Sequence, residues 1–113
     1  MKVPGKPNGP VTLINVFTVE PEKQQALLDH LAKFSETVVR SFPGFLSATF
    51  HASFDGKRVT NVAQWESQEA FLAFLHSSEA SADREACREF ITARDYNLYA
   101  VVGKFLAVVP QES

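Results

Sequence analysis

The chain has 113 residues, one domain's length, and 45% of them are hydrophobic, a composition that argues against disorder. Net charge is −2, with both signs mixed along the chain, so no basic patch marks a nucleic acid as partner. The single cysteine, Cys87, excludes an internal disulfide and fits a reducing cytoplasm, and no apolar run approaches the ~20 residues that span a bilayer.

In chain order, residues 1–10 hold three prolines and two glycines without an apolar stretch. They read as a flexible tail rather than a signal peptide, which leaves 11–109 as a single domain. Residues 11–19 alternate and are rich in β-branched side chains, predicting a first strand. Glu20-Pro21-Glu22 opens a helix, with proline at the first position and acidic groups at the positive end of the dipole. Leu27, Leu28, Leu31, Phe34, Val38 and Phe42 recur at helical spacing to about residue 41, where Pro43-Gly44 stops the helix. Strands follow at 45–53 and 57–65, joined by Asp55-Gly56, a hairpin signal. Ser67 caps a short helix to about residue 75. Ser77-Ser78 interrupts it, a second piece runs over 79–93, and a last strand over 97–109. The order β-α-β-β-α-β predicts an α+β, ferredoxin-like fold, a four-stranded antiparallel sheet with both helices on one face.

Leu13, Phe17 and Val19 point to one side of the first strand and Ile14 and Val16 to the other. Helices cover one face only, so the second apolar face predicts a homodimer packed sheet against sheet. A two-residue turn at Asp55-Gly56 pairs Phe50 with Asn61, Ala48 with Ala63 and Leu46 with Trp65, on the helix side. Asn61, Trp65 and Asn15 then bring hydrogen-bond donors into an apolar space. They describe either a ligand pocket with a few orienting polar groups or ordinary core side chains bonded to nearby backbone. Ten phenylalanines suit a large core or a pocket for a flat apolar ligand.

Pro43-Gly44-Phe45-Leu46-Ser47-Ala48-Thr49-Phe50-His51-Ala52-Ser53, Asp55-Gly56 and Asn61-Val62-Ala63-Gln64-Trp65-Glu66-Ser67 closely resemble the antibiotic biosynthesis monooxygenase family, above all its cofactor-free, anthrone-type branch. The resemblance implies a dimeric α/β barrel that uses O₂ and no cofactor on an anthrone or hydroquinone, giving a quinone. It implies a site in which Asn61 and Trp65 contact substrate oxygens and Arg84, aligned with a one-residue shift, adds positive charge. Asn15, Phe50, Phe71 and Phe74 become substrate-binding walls, Phe71 standing where the branch has a tyrosine. The haem-degrading branch is similar at Asn15, but the positions of its tryptophan and iron-ligating histidine read here as Phe74 and Arg84.

His30, His51 and His76 lie on separate elements without ligand spacing, so no metal is expected. No G-x-G-x-x-G or phosphate-binding loop is present. Arg84, Arg88 and Arg94 with Glu85 and Glu89 read, apart from the resemblance, as a solvated helix face. No general base stands out; a water or His76 are the candidates. A pocket-bearing dimeric binding or stress-response module without turnover is the alternative from another class, since fold does not imply function.

Overall fold

The alternating residues Val11–Val19 form β1, and both of their edges are paired in the computed structural model, which describes residues 9–110. The expected tail lies, from Met1 to Asn8, outside the described residues. β2 (Phe45–Ala52), β3 (Arg58–Trp65) and β4 (Ile91–Tyr99) complete an antiparallel sheet of order β2-β3-β1-β4. α1 (Gln24–Thr37), α2 (Gln68–Leu75) and α3 (Ser78–Cys87) complete the ferredoxin-like order.

Leu27 and Leu31 on α1 and Phe71 on α2 are buried against Leu13, Phe17, Val59, Ala63 and Trp65 on the sheet. Gln24 fixes the start of α1 by donating to the carbonyls of Ser53 (3.1 Å) and Arg58 (2.9 Å) at the foot of the β2–β3 hairpin. Ser67 and Ser77 each accept a backbone N–H three residues on, at 3.0 and 3.1 Å, satisfying a donor that the start of a helix otherwise leaves orphaned.

Four local expectations are corrected. The first helix does not run evenly from Pro21 to residue 41. A 3₁₀ turn precedes α1, and Val38 breaks the helical backbone, so the chain tightens into a second 3₁₀ turn at Val39–Ser41 that buries Val39. The hairpin loop is four residues, closed by the Ser53 N–H on the Arg58 carbonyl at 3.0 Å. An even loop preserves parity, so Phe50 faces Asn61 and Ala48 faces Ala63 as expected. Leu46 does not face Trp65: a bulge between Phe45 and Ser47 sets Phe45 opposite Trp65, their rings edge to face at 5.3 Å, and turns Leu46 to solvent. The last helix ends at Cys87 and the fourth strand occupies 91–99, not 97–109. Residues 91–99 gain a partner along β1, while 100–110 lie beyond it and are almost wholly exposed.

The apolar face is divided. One cluster gathers around Phe17, Val19, Leu27 and Val59, the other around Leu13, Ala63, Trp65 and Phe71. Between their rows, Phe50, Asn61, Asn15 and Tyr96 pair in turn across all four strands.

Gly44 sets the entry to β2. Its φ of +84° lies in the left-handed region, its carbonyl accepts the Glu66 N–H at 2.8 Å, and an added Cβ would come 2.4 Å from that of Ala70. Gly44→Ala is expected to lower unfolding stability by about 1–3 kcal/mol through backbone strain alone, with the α2 collision added, as read from the midpoint of urea denaturation.

Candidate active site

The polar row lies in a pocket between sheet and helices. Asn15 and Asn61 are Cα partners on adjacent strands, and the Oδ1 of each is buried without a hydrogen-bond partner. Leaving such an atom unpaired costs about 1–3 kcal/mol, so two side by side mark a place built for something other than packing. Tyr96 continues the row at the β4 edge, half-exposed, its ring 6.3 Å from that of Phe71.

Trp65 builds one wall. It is 1% exposed, stacks on Phe74 at 5.2 Å, and meets Phe71 edge-on at 5.9 Å. Phe34 and Phe45 extend this aromatic lining, and Ala48 and Ala63, a cross-strand pair, keep the sheet side shallow. The cavity measures about 100 Å³, room for dioxygen or a few waters. Phe34, Phe74 and Tyr96 line it without being fully buried.

Two guanidinium groups border this space. Arg84 on α3 donates from Nη1 to the Leu75 carbonyl at 2.9 Å, which holds it across the α2–α3 break. Arg94 is the larger surprise. Arg88 and Glu85 do form an exposed pair at the end of α3, but Arg94 is no part of that solvated face, because it belongs to β4 on the helix side. Its guanidinium carbon stands 5.4 Å from the centre of the Phe17 ring, and its buried Nε has no partner.

Asn61, Trp65, Arg84, Asn15, Phe50, Phe71 and Phe74 all line this one pocket. His76 is exposed and is not among its lining residues, which removes it as a candidate base. His51 is exposed on the opposite sheet face. Sequence reasoning missed Arg94, Tyr96 and Asp83. The first two fall between the helix expected over 79–93 and the strand expected over 97–109, and both belong to β4. Asp83 lines the pocket and meets His30 Nε2 from α1 at 2.6 Å, while the Cys87 Sγ lies 3.7 Å from its other oxygen. No local pattern announces that meeting.

Together these features define a ferredoxin-like α+β domain holding an aromatic-walled pocket between its sheet and helices. Residues 10–91 match the antibiotic biosynthesis monooxygenase family, and the chain belongs to that family. It is 48% identical over 77 residues to tetracenomycin-F1 monooxygenase of Streptomyces glaucescens, which spans 68% of this chain and 69% of that one. The monooxygenase from the gene ActVA-Orf6 of Streptomyces coelicolor, crystallised with Nanaomycin D, superposes with a TM-score of 0.77 at 31% identity over 91% of this chain and 96% of the other. SnoaB of Streptomyces nogalater, a cofactor-independent oxygenase, shares the fold with a TM-score of 0.70 at 24% identity over 85% and 96% of the two chains.

Burial first, then the neighbouring Asp83 carboxylate, push the Cys87 thiol up to about 12 from its ordinary value near 9.0. The neutral thiol therefore supports folding fully below pH 9, and that support is lost as pH rises towards 12. In native protein at pH 8, Cys87 is expected to resist a disulfide reagent such as DTNB and to react promptly once urea unfolds the chain.

Proposed function

We propose that this chain is a cofactor-independent monooxygenase that oxidises an aromatic, polyketide-like anthrone or hydroquinone to a quinone with O₂. The observation that carries the reading is the pair of unpartnered amides, Asn15 and Asn61, set between aromatic walls and flanked by two arginines. The family and the named activities of the relatives above support it.

Oxygen chemistry without a cofactor requires a substrate that supplies the electrons. The anion of an anthrone does so, and the protein's task is to favour that anion, hold it and exclude water. Amide donors of Asn61 and the indole N–H of Trp65 bind the phenolate or enolate oxygen. The unpaired carbonyl of Asn15 or Asn61 accepts a substrate hydroxyl, and Arg84 adds positive charge. Phe50, Phe71 and Phe74 pack on the substrate rings. One atom of O₂ enters the product as the new carbonyl, and the other leaves as water, with both hydrogens of the oxidised carbon in an anthrone or with one ring hydrogen and one phenolic hydrogen in a hydroquinone.

O₂ uptake with emodin anthrone or dithranol tests this. Turnover is expected to survive chelator and to fall about 10²-fold in Trp65→Phe and Asn61→Ala. Wild-type uptake no faster than the spontaneous rate, with quinone still bound, would convert the site into that of a binding module.

The working unit proposed is a homodimer. Ile14, Val16 and Val62 remain only half-covered on the face away from the helices, and Val101, Phe105 and Leu106 beyond β4 are exposed, the pattern of a surface that awaits a second copy. No helix among the described residues is long and apolar enough to cross a membrane, and a single thiol suits the reducing cytoplasm proposed as its location. Sedimentation is expected to give twice the chain mass, and Val62→Glu is expected to shift the protein to monomer.

A further inference from the structure

One ionisable cluster borders the pocket without a part in the chemistry above. The Asp83 side chain is 14% exposed and lines the pocket. Its Oδ1 lies 2.6 Å from His30 Nε2 and its Oδ2 accepts the Cys87 thiol at 3.7 Å. His30 is not a lining residue, yet its side chain is 28% exposed, its ring 5.7 Å from that of Phe90. Asp83 thus touches the pocket on one side and a solvent-reached imidazole on the other. Arg84 on the same helix and Arg94 from β4 are the charged groups that share the pocket with it. A carboxylate in so apolar a wall is costly unless it is partnered, and here its partners are His30 and Cys87.

The geometry points to Asp83 as the general base of this pocket, with His30 carrying the proton onward to water. The inference rests on the oxygenase reading for its substrate class, a flat aromatic with an acidic C–H or phenolic O–H. In the step, that C–H or O–H bond breaks and its electron pair stays on the substrate as enolate or phenolate. The proton bonds to an Asp83 carboxylate oxygen, and His30 exchanges it with solvent. No electron leaves the substrate until O₂ arrives. The anion then forms beside Asn61, Trp65 and the two guanidinium groups. Acid and anion are thereby separated within one cavity, the division of labour that proton abstraction requires. His30 acts through Asp83 and is a positioning and relay residue.

The test removes oxygen. Chelator-treated protein is mixed with dithranol in D₂O under argon, and exchange of the acidic methylene hydrogens is followed by NMR. Wild type is expected to accelerate exchange above the buffer rate. Asp83→Asn is expected to reduce that acceleration by about 10²-fold, with emodin binding, read from Trp65 fluorescence, kept near the wild-type value. Acetate is expected to restore exchange to Asp83→Ala, and His30→Gln to slow it while leaving emodin binding near the wild-type value. Exchange undiminished in Asp83→Asn, or absent from wild type, overturns the proposal. So does exchange that needs zinc restored after chelation, which would make His30, Asp83 and Cys87 a metal centre. Exchange without O₂ uptake in air upholds the base and overturns the oxygenase reading; O₂ uptake with unchanged exchange in Asp83→Asn does the reverse.

Discussion

Two amide side chains meet across the central strands of an apolar sheet face, and the remainder of the domain is arranged around the difficulty of keeping them there. Asn15 and Asn61 have a buried oxygen each and no protein partner for it. Replacing either with valine would join the two halves of the core into one. Instead the clusters stay apart, each closed by its own helix residues, and the gap between them is the cavity. The destabilisation of unpaired polar groups is carried by packing on both sides, Leu27 and Val59 in one cluster and Trp65 in the other, all at or below 1% exposure.

The electrostatics of the gap follow from where the cationic groups are tied. Arg84 is fixed by a carbonyl at the end of α2, where the partial negative charge of the helix terminus favours a cation. Arg94 lies over the Phe17 ring, and ring faces attract guanidinium groups. Neither forms an ion pair with Asp83, whose short contact is to His30. The pocket therefore holds two positive groups that are not neutralised by an ion pair with Asp83.

How much of this was legible depended on distance along the chain. Asn61 and Trp65 lie within ten residues of the Asp55-Gly56 turn, and an even loop fixed their face whatever its length. Arg94 and Tyr96 were illegible because 91–96 carries charges compatible with a helix while the valine-rich 100–109 looks more like a strand. Pairing with β1 decided otherwise, since a strand is defined by its neighbour as much as by its own residues. The bulge at Leu46 has the same origin: a tertiary contact between Phe45 and Trp65 outweighs regular alternation. His30 and Asp83 lie 53 residues apart, a separation at which no periodicity speaks.

The paired methyl groups of Ala48 and Ala63 set a different property, the thickness of what the site can hold. Both residues belong to the sheet side of the pocket lining, where their small side chains leave space that a larger residue would fill. On the oxygenase reading proposed above, shape selection among flat ring systems would rest on two of the smallest side chains in the domain rather than on a polar contact. A single branched residue at either position would narrow the range of ring systems accepted while leaving Asn15, Asn61 and Trp65 in place.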